Sequence, residues 1–351
     1  MVKRAGLACG RICSSLAASI QRKDFAPDSI VIVLRKPLGI GDLLMLAPFM
    51  VDVASRSHGL RVSILTEYRP IFSIDGIEWV SPEALDEGSL ENALVISPTL
   101  SWRHARYLPH AGWHLGYFLS DRVSCNFSRV SARYDARRGH YLDRIVPLRG
   151  ILDRCWPESA VSCSRMVLME APFEEVPLPS GYVCLAPFSN WPERQYPPEY
   201  WKKVIDGVRR RLPVVLVGGS HPDERAMACS LAVEGVINLV GRTSLGQLAS
   251  VLAGSRLYLG NDSGPSHMAF LSAQASVVVF GCVGGKQRIP LDPGLSSRIR
   301  VLGNGSACPH FPCYDGFTKP ECRNPEPCLC LTSVSPDAVL EEAFSILRGE
   351  R

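Results

Sequence analysis

The stretch Leu257-Tyr-Leu-Gly260-Asn-Asp262-Ser263-Gly264-Pro265-Ser-His267 decides the fold. Apolar Leu257–Leu259 reads as the end of a strand, and Pro265 opens a helix running to Ser272. A strand that passes through a glycine-bearing polar turn into a helix is the repeating unit of an open α/β sheet. The free N–H groups and positive dipole end of such a helix face whatever lies above them, and a pyrophosphate suits that position. Gly264 lets backbone approach a ligand closely, Ser263 or Asp262 can cap the helix, and His267 can donate to a phosphate oxygen. Asp262 is expected to cap or orient the loop rather than touch phosphate, because like charges repel. The same residues would also serve an ordinary capped strand–helix turn.

Working outward, the same grammar recurs on both sides. Ser29–Leu34 is a continuous β-branched run, the mark of a strand buried on both faces. A turn with Pro37, Gly39 and Gly41 leads to a helix over Leu43–Ser57, with Pro48 as a local irregularity. Strands follow at Leu60–Thr66 and Ala93–Ser97, and then an Arg-rich, irregular helical region to about Arg154. Residues 171–181 carry three prolines in eleven positions, the composition of a linker. Beyond it the pattern restarts: strands at Tyr182–Ala186, Val214–Val217, Ile237–Leu239 and Ser276–Phe280, helices at Pro198–Arg210, Asp223–Val233 and Leu245–Ala253. Pro336–Leu347 is a terminal helix with Ser335 as N-cap. The expected organisation is an extension over 1–28, one α/β domain over 29–172 and a second over 173–351. The second domain includes a Cys-rich loop over 304–330. Two such domains joined by a linker make a cleft, where small-molecule sites concentrate.

Composition narrows the class. With 46% hydrophobic and 21% charged residues the 351-residue chain is an ordinary globular sequence, long enough for two domains. It contains no apolar run long enough to span a bilayer. Met1–Ile20 superficially suggests a signal peptide, but Arg11 interrupts its apolar part and no small-residue cleavage site closes it. A disordered or amphipathic extension that could rest on a membrane surface is the expectation. Thirteen scattered cysteines suggest a reduced, cytoplasmic protein. Net charge is +4, yet Ser101–Arg154 holds ten arginines against four acids. That local surplus suggests an anionic partner, or else a solvated helical face. Nucleic acid is disfavoured, because no recognition motif or aromatic–basic alternation accompanies the arginines.

Three further loops sit at strand ends. Leu38-Gly39-Ile-Gly41-Asp42 follows the first strand; Asp42 could accept a proton from a sugar hydroxyl or could simply cap its helix. Pro187-Phe-Ser189-Asn190-Trp-Pro-Glu-Arg194 supplies hydrogen-bonding residues and a cation for a phosphate leaving group. Gly218-Gly219-Ser220-His221 occupies the corresponding edge of the next strand.

These words, in this order, resemble glycosyltransferase family 9, the ADP-heptose:lipopolysaccharide heptosyltransferase-like proteins. The resemblance rests on the hydrophobic strand into Leu-Gly-Ile-Gly-Asp42 and on Ala-Pro-Phe-Ser-Asn190 through Arg194 to Trp201. It continues through Val-Leu-Val-Gly-Gly219, Asn238–Leu245, Gly260–His267 and the Cys-rich loop before Val334-Ser-Pro336, covering about Ile30 to Leu347. It implies a GT-B fold, two Rossmann-like domains facing across a cleft, and an inverting transfer with no cofactor and no catalytic metal. The implied donor is an ADP-heptose-like nucleotide sugar, and the implied acceptor is a lipopolysaccharide core or another anionic glycolipid or glycan. On that pattern Asp42 is the general base and Arg194 neutralises the departing diphosphate. Ser189, Asn190, Gly219, Ser220, Asp262, Ser263, Gly264 and His267 contact the donor, and Gly41, Arg122 and Arg137 the acceptor. Peripheral contact with the inner face of the cytoplasmic membrane would fit such an acceptor. Cys308, Cys313, Cys322 and Cys328 lack the paired spacing of a structural zinc site and are read mainly as loop thiols. Two alternatives differ in class. A nicotinamide-dependent oxidoreductase would use Gly39-x-Gly41 with Glu67 on the ribose, although Leu44 stands where the third glycine belongs. A catalytically silent sugar-nucleotide or lipid A binding protein would keep the fold without turnover.

Overall fold

The computed structural model describes residues 25–35, 38–57, 59–99, 101–118, 122–126, 140–155, 166–303, 305–314 and 320–349. Most of the N-terminal extension, and Arg137, lie outside these. The chain divides into two compact units, Met1–Asp135 with Tyr141–Val167, and Ala136–His140 with Leu168–Arg351. The proline-rich stretch belongs to the second unit and is pinned to one of its helices. The Ala171 amide donates to Gly246 O at 3.1 Å, and Ser250 Oγ donates to Ala171 O at 2.8 Å.

The first unit contains strands β1 (Ser29–Val33), β2 (Arg61–Leu65), β3 (Ile77–Val80), β4 (Ala93–Ser97), β5 (Trp113–Gly116) and β6 (Ser124–Cys125). Their order across the sheet is β3-β2-β1-β4-β5-β6, parallel except for the β5–β6 pairing. Every residue of β1 and β4 is buried, as a strand covered on both faces requires. Helix α1 (Ile40–Arg56) begins three residues earlier than its apolar pattern suggests and runs through Pro48, whose ring lies at the exposed surface. A salt-bridge network joins α1 to α2 (Val146–Cys155): Asp52 receives Arg56 at 3.0 Å and Arg149 at 2.9 Å, and Arg56 also reaches Asp153.

The second unit repeats the plan. Strands β7 (Val183–Ala186), β8 (Val214–Leu216), β9 (Val236–Asn238), β10 (Leu257–Asn261), β11 (Ser276–Val279) and β12 (Ile299–Leu302) lie in the order β9-β8-β7-β10-β11-β12, all parallel. Helices α3 (Pro198–Val208), α4 (Pro222–Leu231), α5 (Leu245–Ala253), α6 (Gly264–Ser272) and α7 (Pro336–Arg348) complete it. One core cluster gathers Val183, Leu216, Leu259, Val277, Trp201 and Val339. Tyr196 Oη ties the loop after β7 to the start of α7 through Val334 O at 2.7 Å.

Counted within each unit, both sheets have the strand order 3-2-1-4-5-6, the doubly wound order of nucleotide-binding folds. The order reverses between β1 and β4 in one unit and between β7 and β10 in the other. Ligands of open α/β sheets bind beyond the carboxyl ends of the strands at such reversals.

The first reversal is tied together by a buried histidine. His104 Nε2 accepts the Arg35 amide at 3.1 Å, so Nδ1 carries the proton and donates to Ser97 Oγ at 2.6 Å. Ser97 Oγ in turn donates to Thr99 O at 2.7 Å. Burial pushes the His104 pKa down to about 4, and burial does the same to His114. The unfolded chain takes up these protons first, near the ordinary pKa of about 6.5. Their contribution is therefore intact above about pH 6.5 and is lost as pH falls toward 4, roughly 2–3 kcal/mol for each histidine. Urea unfolding of the first unit is expected to show a lower midpoint at pH 5 than at pH 7.5. In His104→Gln that difference shrinks; a midpoint flat across this range contradicts the assignment.

Candidate active site

Each unit presents one polar cluster at its reversal point. In the first, α1 starts at Ile40 with Gly39 as N-cap, which makes Asp42 the third helical residue. A carboxylate at that position reaches back over the first turn, and Asp42 Oδ2 accepts the Gly39 N–H at 2.9 Å. Its other oxygen, Oδ1, accepts the phenol of Tyr141 at 2.8 Å. Asp42 therefore does cap its helix, and its carboxylate is also fixed at both oxygens while remaining half-buried. Tyr68 holds the same loop by donating to Leu38 O. Gly41 is buried in the first turn of the helix. Glu67, which an oxidoreductase would need for a ribose, is instead ion-paired to Arg35 at 2.7 Å, and Arg35 also donates to Tyr107 Oη at 2.8 Å.

The second cluster lies where the loop after β7 meets the loop after β10. β10 extends to Asn261, two residues beyond its apolar run, because Asn261 is wholly buried and cross-links the loops. Its Nδ2 donates to Pro187 O at 2.8 Å, and its Oδ1 accepts the Tyr196 amide at 3.3 Å. Gly260 is required by close approach: a Cβ there would lie 2.3 Å from Tyr258 Oη and 3.0 Å from Ala186 O. Ser263 is the N-cap of α6 but makes no side-chain cap bond, and Asp262 does not cap either. Asp262 turns inward, 1% exposed, with Oδ2 3.2 Å from Arg194 Nε and Oδ1 3.6 Å from His267 Nε2. The Arg194 contact is close but off-axis, an ion pair rather than a well-aligned hydrogen bond.

Electrostatics at this pair are decided by the partner and not by burial. Burial alone would raise the Asp262 pKa, yet Arg194, helped by His267 and Arg288, holds it well below the usual carboxylate range. Burial would lower the Arg194 pKa, and Asp262, Cys282 and Tyr314 more than reverse that. The guanidinium lies over the Trp191 ring at 4.2 Å and near the Tyr314 ring at 5.2 Å. The result is a fixed cation beside the N-terminus of a nine-residue helix.

The remaining sequence candidates separate by position. Ser189 belongs to the second cluster, its amide donating to Gln195 Oε1 at 2.8 Å, and Asn190 beside it is exposed. Gly219, expected on the donor, has its N–H engaged by Glu224 Oε2 at 2.6 Å. Ser220 is exposed next to it, and Gly264 and the largely buried His267 lie on the first turn of α6. Arg122 is exposed, as are Arg106 and Arg149, which pair at the surface with Glu87 and Asp52. Arg144 is buried against the ring of Tyr141 at 3.9 Å.

Sequence reasoning passed over Tyr141, Glu224, Asn261 and the ring faces of Trp191 and Tyr314. Glu224 had a signal, as the third helical residue after Gly218-Gly219. Tyr141 had none, because it meets Asp42 only through the fold. The Cys-rich loop closes on the second unit's own sheet. Cys282, Cys308, Cys313, Cys322, Cys328 and Cys330 line one small cavity, with Cys328 N donating to Cys322 Sγ at 3.2 Å. Cys282 and Cys330 come from outside the four sequence candidates. Among the described residues no group of three or more His, Cys, Asp or Glu is disposed to hold a metal ion, and the described cysteines are free thiols.

Two doubly wound units, each with its polar cluster at the strand reversal, define the GT-B class of glycosyltransferase fold. Within that class the resemblance read from the motifs is borne out: residues 153–311 match the model of glycosyltransferase family 9 (heptosyltransferase). Lipopolysaccharide heptosyltransferase 1 of Escherichia coli K12 is 30% identical over 110 residues, 29% of this chain and 30% of that protein. The match thus spans under a third of the curated relative's length. ADP-heptose lipopolysaccharide heptosyltransferase II of E. coli superposes with a TM-score of 0.61 at 17% identity, over 92% of this chain and 99% of that one. A glycosyltransferase family 9 protein from Veillonella parvula gives 0.64 at 17% identity, over 94% and 100%. No helix among the described residues is long and apolar enough to cross a membrane.

Proposed function

We propose that this chain is an inverting glycosyltransferase that moves a heptose from ADP-heptose to a hydroxyl of a lipopolysaccharide core or related cell-surface glycan. The observation that carries the reading is the buried Asp262–Arg194 pair beside the α6 N-terminus, inside the segment that matches the family. A fixed cation beside the positive dipole end of a helix is what a departing diphosphate needs. Asp42 supplies the other half of the chemistry. Its carboxylate takes the proton from the acceptor hydroxyl while that oxygen bonds to the anomeric carbon. The bond from that carbon to the phosphate oxygen breaks, and its electron pair leaves with the diphosphate. A single displacement inverts the anomeric centre and requires no cofactor or metal. Ser189, Asn190, Ser263 and Gly264 are assigned to the donor; Gly41 and Arg122 are assigned to the acceptor. Nucleotide sugars and free thiols both favour the cytoplasm, and an anionic glycolipid acceptor would bring the protein to the inner membrane face.

Trp191 stacks on Arg194 and so reports on the donor cluster. Titration with ADP-heptose is expected to quench tryptophan fluorescence at micromolar concentrations, with weaker responses to UDP-glucose and NADH. A selective response to NADH contradicts the reading.

A further inference from the structure

We infer that Tyr141 is a positioning residue for the transfer reaction, acting through Asp42; the inference rests on the role proposed for that carboxylate. Asp42 Oδ2 is held from its own helix by the Gly39 amide, a bond of backbone geometry that fixes where the side chain starts but not how its plane is turned. The Tyr141 hydroxyl donates to Oδ1 at 2.8 Å from a segment ninety-nine residues away in sequence, and the second bond fixes the plane. With one donor on each oxygen, the remaining lone pairs keep constant directions, as a base that meets its substrate in one orientation needs.

Tyr141 is itself anchored. It is 3% exposed and opens the 3₁₀ turn Tyr141–Ile145. The Arg144 guanidinium lies 3.9 Å from the centre of its ring, and the Arg144 carbonyl accepts Tyr117 Oη at 2.8 Å. Arg144 Nε returns to the Tyr141 carbonyl at 3.1 Å, which closes the turn on itself. A solvent-exposed phenol could be replaced by water at little cost; this one is built into the core with its hydroxyl aimed at a single carboxylate oxygen. Among the described residues, ionisable groups near the carboxylate include Tyr68, whose hydroxyl holds the Leu38 carbonyl, the Arg35–Glu67 pair on the neighbouring strand ends, and Arg144 behind the tyrosine ring.

Tyr141→Phe retains the ring and its stacking on Arg144 and deletes the bond to Asp42. With ADP-heptose and a deacylated lipopolysaccharide inner core as substrates, kcat is expected to fall about tenfold in Tyr141→Phe. The ADP-heptose dissociation constant and the melting temperature stay at wild-type values. An unchanged kcat in a protein whose Asp42→Asn variant is inactive overturns the inference. Equal loss of melting temperature, donor binding and kcat marks a purely structural tyrosine and overturns it too. If Asp42→Asn turns over at the wild-type rate, it is the base assignment that falls instead.

Discussion

Asp42→Asn is expected to lower kcat by about 10³-fold and to leave ADP-heptose binding unchanged. Asparagine is isosteric, and its side-chain carbonyl can still accept one of the two bonds now received from Gly39 and Tyr141, so α1 keeps its start. What is lost is the ability to take a proton at neutral pH. A capping residue and a base respond differently to this substitution. If Asp42 only capped the helix, the variant would melt a few degrees lower and turn over normally. Steady-state kinetics beside a thermal melt separate the two roles in one experiment.

The second large effect is on stability. Asp262→Asn is expected to destabilise the second unit by about 3–5 kcal/mol, because it leaves the Arg194 cation buried without its counter-charge. Arg194 is only 17% exposed at its side chain and Asp262 1%, so solvent cannot stand in for the missing carboxylate. Removing both charges together, in Asp262→Asn with Arg194→Met, recovers most of the loss. The pair also sets an acid limit. The Asp262 carboxyl is held below its ordinary range in the folded protein, so its contribution is complete above the unfolded value near pH 4. It is lost as pH falls further. The first unit, through its buried neutral histidines, is affected earlier, between about pH 6.5 and 4. Urea unfolding followed by Trp201 and Trp191 in the second unit and Trp113 and Trp79 in the first distinguishes the order. An Asp262→Asn protein as stable as wild type contradicts the ion-pair account.

The sheets were legible in the sequence wherever a strand is buried on both faces. Ser29–Leu34, Ala93–Ser97, Tyr182–Ala186 and Ser276–Phe280 all stand within a residue of their apolar runs, since continuous β-branched stretches have no other stable use in a domain of this size. The edge strand Val236–Asn238 was legible one residue late, as Ile237–Leu239, and other strands toward the margins escaped. Trp113–Gly116 pairs its backbone while His114 bonds Ser124, so its pattern is set by a neighbour the sequence does not reveal. Ile77–Val80 carries an exposed Glu78 and Ile299–Leu302 a half-buried Arg300, and their apolar residues are mostly half-buried.

The candidate site shows the same division. Loops at strand ends could be read, because glycines, an N-terminal helical proline and a polar residue at the third helical position each have a local cause. Partnerships could not. Asp262 was expected to orient its own loop; it does so through Arg194, sixty-eight residues earlier, and the price is a cation that no longer faces solvent freely. Gly219 was expected on the donor, and the bond from its amide to Glu224 went unread. Such pairings are decided by which loops the strand order 3-2-1-4-5-6 brings together, and strand order is a property of the whole chain.

The central claim, that this chain transfers heptose with Asp42 as base, is tested most directly by mass spectrometry of a deacylated lipopolysaccharide inner core incubated with the protein and ADP-heptose. The account predicts an acceptor heavier by one heptose, ADP released in equal amount, and neither product with Asp42→Asn. An acceptor of unchanged mass, or a gain undiminished in Asp42→Asn, contradicts it.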